Sequence, residues 1–214
     1  MRNFSAALLV FLGGFVIMVL EIIGARYLAK DFGGSFYVWV SQIGVILTAL
    51  ALGYSVGGAL ADWWQRTARL AWLLTPAGLF TFFIPSFAGI WIEAILRRHP
   101  GETIPRLWQK LDPVLGSTMI FLLPCFVLAT LSPYMVRLTA RRLGHVGRIS
   151  GLIYSASTAG SIVGVFVSGY VLIDYLSVSE IFRSMGVLTL LLALLCLALD
   201  RWFRAEEGTG SPTS

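Results

Sequence analysis

Glu21 is the ionisable residue least suited to its surroundings. It lies in the apolar run 4–24, with Arg26 five positions further on. A carboxylate in such a run is costly unless paired or wetted, so it marks either a cation or proton site facing a cavity or an interfacial carboxylate paired to Arg26 or to a base in a loop. Trp39 and Gln42 follow near the start of the next run, and Tyr154, Ser157 and Thr158 cluster in a later one. These side chains are candidates for the lining of a cavity between helices, although Ser and Thr also bond the carbonyls of their own helix. A second charged group ends the stretch 47–69, LTALALGYSVGGALADWWQRTAR. There Asp62 is followed by two Trp and then by Arg66 and Arg69. The acid, the aromatic pair and the bases mark the point where an apolar helix reaches water, and they form a candidate latch.

No constellation for covalent or acid–base chemistry accompanies them. The chain lacks a Walker loop, an HExxH pair, a nucleophile elbow and a strand–turn–helix unit with a GxGxxG loop. Cys125 and Cys196 lie inside apolar runs, and His99 and His145 share no ligand-like spacing with them. The sequence therefore points to no catalytic residue, no metal site and no cofactor, and to a protein that is not an enzyme.

The composition explains why. Of the 214 residues, 57% are hydrophobic and only 13% charged, and mean hydropathy is +0.81. Soluble domains carry about 25% charged residues. The fold expected is all-α and polytopic, with six transmembrane helices near 4–27, 37–61, 70–96, 114–138, 149–173 and 179–202. Pro76, Pro85, Pro124 and Pro133 fall inside these helices and predict kinks. The first run lacks a small-x-small cleavage site and reads as a retained helix. Residues 103–111, TIPRLWQKL, have the pattern of a short amphipathic helix on the membrane surface. The tail 205–214 reads as disordered. The net charge of +5 comes mostly from Arg between the apolar runs, a placement that excludes a nucleic-acid face. Basic residues in the connections favour, by a small excess, a cytoplasmic N-terminus and C-terminus.

Small residues recur every fourth position at Ala49, Gly53, Gly57 and Ala61, and again at Ala156, Gly160, Gly164 and Ser168. On a helix each set forms one face, suited to close helix packing. The two ladders belong to a longer repeat. ARYLAKDFG at 25–33 aligns with VRLTARRLG at 136–144, placing Arg26 against Arg137. GGALAD then aligns, after a one-residue shift, with SGYVLID, placing Asp62 against Asp174. A six-helix domain over 1–204 thus divides into units of about 1–98 and 113–204. Three helices repeated in tandem have opposite orientations, giving a 3+3 inverted repeat with Asp174 at the face opposite Asp62.

Two family likenesses rest on these residues. GGALADWWQR resembles the loop signature of the major facilitator superfamily, and the layout resembles half of such a transporter. Over nearly the whole length, the chain resembles the membrane region of bacterial spermidine-synthase-like proteins, the fused major facilitator/spermidine synthase family. That likeness is carried by Glu21 and Arg26; by Phe32, Gly33, Ser35, Tyr37 and Trp39; by the segment 53–62; and by the segment 154–164. The soluble synthase domain of that family has no counterpart here. The resemblance implies a protein of the bacterial inner membrane that transports or binds a small solute such as a polyamine-like cation. The alternative it implies is a non-catalytic membrane anchor for a separately encoded synthase-like enzyme or another membrane complex. The partners expected are the lipid bilayer and either a second copy of the chain or a membrane or soluble partner protein.

Overall fold

The computed structural model describes residues 2–34, 36–98, 105–140 and 146–208, the side chains of Arg2 and of residues 201–208 excepted. Among them every regular element is helical: α1 (Arg2–Phe32), α2 (Phe36–Trp64), α3 (Thr67–Leu96), α4 (Arg106–Ala129), α5 (Leu131–Thr139), α6 (Val146–Val167), a π-helical turn (Ser168–Leu172), α7 (Ile173–Tyr175) and α8 (Val178–Gly208). Six stretches are long and apolar enough to cross a membrane: Asn3–Phe32, Phe36–Trp64, Thr67–Leu96, Arg106–Thr139, Val146–Tyr175 and Val178–Asp200. A bilayer core of about 30 Å needs about 20 helical residues, and each stretch exceeds that.

Two of the elements differ in kind from the sequence expectation. Residues 106–111 form the first turns of α4 instead of a separate surface helix; Thr103 and Ile104 lie outside the described residues. The cause is a tether to the end of α3. Arg98 Nη2 donates to the buried carboxylate of Asp112 at 3.0 Å, and the Arg98 guanidinium lies 5.3 Å from the centre of the Trp108 ring. This holds the segment in line with the span. The fourth span, in turn, is broken at Thr130, between α4 and α5. Pro133 offers no N–H to the Ala129 carbonyl, and Thr130 Oγ1 turns back to donate to Val127 O at 2.7 Å. Pro76, Pro85 and Pro124 sit inside continuous helices. At the C-terminus α8 runs on to Gly208, and residues 209–214 of the expected tail lie outside the described residues.

The bundle is built from three long pairings: α3 along α8, α1 along α6, and α2 along α4 and α5. The small-residue ladders make two of them. Ala49, Gly53, Gly57 and Ala61 are all buried. A methyl group added at Gly53 would lie 2.5 Å from Phe126 O, and one at Gly57 2.6 Å from Thr130 O. On the other ladder Gly160, Gly164 and Ser168 are buried and Ala156 half-buried, facing α1. A methyl group at Gly160 would collide with the backbone of Phe11. Ser161 Oγ donates to Gly14 O across the same contact at 3.3 Å. These approaches bring backbone against backbone, which only the smallest residues allow.

Large apolar side chains cover the outside. Phe36, Trp63, Trp72, Tyr170 and Tyr175 are each more than 70% exposed. In the most apolar window of the fourth span 61% of residues are buried, against 17% in the fifth. The fourth span is thus a central element, and the fifth lies on the periphery.

Candidate functional site

The C-terminus of α2, the whole of α5 and the first turns of α6 meet at one end of the bundle and leave a cleft of about 630 Å³. Gly58 and Asp62 come from α2, Pro133, Val136 and Arg137 from α5, Ala140 from just beyond it, and Val146, Ser150 and Tyr154 from α6. The break at Thr130 starts α5 as a separate helix, and α5 forms one wall. Arg137 Nε donates to Asp62 Oδ1 at 2.5 Å, with both side chains more than half exposed. This bond is one-pronged. Neither Nη of Arg137 hydrogen-bonds a described residue, and neither do the hydroxyls of Ser150 and Tyr154. The Tyr154 ring stands edge-on to Tyr54, with centroids 6.4 Å apart.

The expected latch is therefore differently composed. Asp62 pairs with Arg137 and not with Arg66 or Arg69. The reason lies in the turn after α2. Gln65 takes a left-handed backbone with φ 47°, which carries the chain away from Asp62. Arg66 Nη2 then lies 3.6 Å from Asp200 Oδ2 of α8, and Arg69 Nη1 donates to Trp64 O at 3.3 Å. Tyr134 Oη donates to Arg66 O at 2.7 Å. Asp174 is exposed on α7, towards the other end of the bundle.

The expected cavity set is divided. Gln42 is fully buried; its Nε2 donates to Leu20 O at 3.4 Å and its Oε1 accepts from Ser117 Oγ at 2.7 Å. Gly24 lets it lie against α1, since a methyl group there would come 2.5 Å from Gln42 Nε2. Glu21 is half-buried on α1, and Arg26 and Trp39 are exposed. Glu21 makes no ion pair with Arg26, nor a hydrogen bond with any described residue; five residues along a helix turn the two side chains about 140° apart. Ser157 accepts from Ser132 Oγ at 3.4 Å, and Thr158 is exposed. Of this set only Tyr154 reaches the cleft.

The residue whose role the sequence left unread is Arg137. Its signal was present in the alignment of 25–33 with 136–144, which marked Arg137 without saying what it meets. Ser150 carried no signal beyond its position one turn before Tyr154. Among the described residues no three His, Cys, Asp or Glu side chains gather as a metal site.

Among the described residues, fold and cleft together define an all-helical protein with six membrane-length apolar helices and a polar cleft where three of its spans meet. No protein-family model matches the chain, and no curated protein or solved structure is significantly similar to it.

Proposed function

We propose that the protein is an integral membrane module, of the bacterial inner membrane by its family likeness, that binds and carries a small solute. The observation that carries this reading is the inequality of its two ends. If α1, α2 and α3 are exchanged for the α4–α5 span, α6 and α8, the α2–α4 pairing becomes α6–α1 and the α3–α8 pairing maps onto itself. An inverted repeat has that property. Under the same exchange Asp62 and Arg137 have Asp174 and Arg26 as counterparts. The first two are joined. Neither of the second two forms an ion pair or hydrogen bond with a described residue. One latch made while its counterpart is open is the arrangement of a carrier caught in one of two states. The cleft beside the made latch gives a solute direct access to it. Six spans enclose little room of their own, so a homodimer is the assembly proposed.

Flux through liposomes tests the reading. Protein reconstituted in vesicles is expected to take up labelled spermidine or labelled phosphate above the level of empty vesicles. Asp62→Asn and Arg137→Gln should each lower that uptake by about tenfold, within the usual range of coupling between a ligand and a conformational equilibrium. Uptake no greater than in empty vesicles for both solutes overturns the proposal.

A further inference from the structure

The polar lining of the cleft is one-sided in what it offers a ligand. Its single carboxylate, Asp62, already accepts from Arg137 Nε. Its remaining polar side chains, one guanidinium and two hydroxyls, can all donate. Arg137 keeps both Nη groups without a hydrogen-bond partner among the described residues, and Ser150 and Tyr154 bring two hydroxyls in the same condition. Val146, Ser150 and Tyr154 lie a turn apart along one flank of α6, a helix of 22 residues, so the first turn of that helix, where its dipole is positive, lies beside the cleft. A guanidinium held through Nε presents its two Nη groups as a fork that matches two oxygens of one acid group.

We propose that this cleft is an oxyanion site, in which the Arg137 fork holds a phosphate or carboxylate group and the Ser150 and Tyr154 hydroxyls donate to its remaining oxygens. The proposal rests on the reading of the cleft as a solute site, and it assigns that solute the opposite charge to the cation implied by the family likeness. A bound oxyanion competes with Asp62 for Arg137, so occupancy loosens the latch. The acid group has two possible sources, a free anion or the headgroup of an anionic phospholipid.

Val146→Cys reports on the site, since Cys125 and Cys196 are buried. Its labelling by a membrane-impermeant maleimide is measured in phosphatidylcholine vesicles, with and without inorganic phosphate, and in vesicles containing phosphatidylglycerol. Slowing by phosphate in phosphatidylcholine supports the site with a free anion. Slowing by phosphatidylglycerol alone supports it with a lipid headgroup. The expected slowing is roughly threefold or more, as for a charge-assisted, two-pronged contact. In either case Asp62→Asn should strengthen the protection by freeing the guanidinium, and Arg137→Lys should abolish it by removing the fork. Protection lost in Asp62→Asn as well as in Arg137→Lys overturns the proposal, as does protection by spermidine in place of the anion. Labelling that no anion slows overturns the oxyanion site and leaves the solute cleft standing. No labelling at all removes the open cleft and both readings with it.

Discussion

At the scale of single residues, the bonds that hold the bundle and the bond that marks its cleft are of different strength. Asp62 and Arg137 are both more than half exposed, and an exposed ion pair contributes about 1 kcal/mol or less. Asp62→Asn should therefore change the thermal midpoint of the purified protein only slightly; a large fall would give the pair a structural role. The glycines of the ladders behave in the opposite way. Gly160→Val places a branched side chain where even a methyl group collides with the Phe11 backbone, and overpacking of that kind costs about 1–3 kcal/mol or more. The expected outcome is an aggregated or strongly destabilised protein by size-exclusion chromatography and thermal unfolding. Gly44→Ala is the matched control, because a methyl group there meets nothing within 4 Å. Unchanged behaviour of Gly160→Val would mean that α1 and α6 do not approach as closely as described. The ladders were legible in the sequence because spacing by four is itself the geometry of a helix face. The identity of the helix each ladder meets was not, since nothing in residues 49–61 names α4 and α5 as the facing surface.

At the scale of elements, helix ends carry information that the apolar runs do not. The N-terminus of α3 has no cap from its own preceding residue. Asp200, distant in sequence, supplies one: its Oδ1 accepts from the Ala68 amide at 3.2 Å and from Thr67 Oγ1 at 3.4 Å. Asp200→Ala should lower stability by roughly 1–3 kcal/mol, combining a lost cap with buried donors left unsatisfied. A thermal midpoint equal to that of the parent would exclude this role. The turn before α3 contains the one non-glycine residue with positive φ among those described, Gln65. Gln65→Gly relieves a left-handed conformation that costs an ordinary residue about 1 kcal/mol. It gives up the bond from Gln65 Nε2 to Asp62 O, but a net rise in thermal midpoint is expected. Such ends resist sequence reading for different reasons. The Asp200 cap joins positions 132 apart, beyond any local pattern. The capping box at α8 is local, with the Ser177 amide and hydroxyl both donating to Glu180 Oε2 at 2.8 Å, and its S-x-x-E spacing is a recognisable start signal. Residues 106–111 misled because their amphipathic pattern fits a surface helix as well as the entry turns of a span. Only the Arg98–Asp112 bond decides between the two.

At the scale of the whole molecule, hydropathy defined the number of spans, and the order of the spans fixes which connections share a side. Six antiparallel spans place the end of α1, the end of α3 and the end of α7 at one end of the bundle, with the starts of α2, α4 and α8. The turn at 65–66, the end of α5 and the start of α6 lie at the other, together with the start of α1 and the end of α8. The small excess of basic residues at the second end makes a cytoplasmic placement of that end the expectation to test. Single cysteines test both statements at once. Gly34→Cys and Tyr175→Cys should label with an impermeant maleimide in intact cells, while Trp63→Cys and Gly147→Cys should label only after the cells are opened; all four native residues are exposed. The reverse pattern would invert the orientation and keep the six spans. A mixed pattern within either pair would break the six-span order itself, and with it the correspondence of Asp62 and Arg137 to Asp174 and Arg26 on which the two-state reading depends. The orientation also decides where the cleft opens. If the labelling places the second end in the cytoplasm, Arg137, Ser150 and Tyr154 lie on the side where phosphorylated metabolites are made and where the leaflet carries the anionic headgroups. The labelling therefore fixes which anions reach the Arg137 fork first.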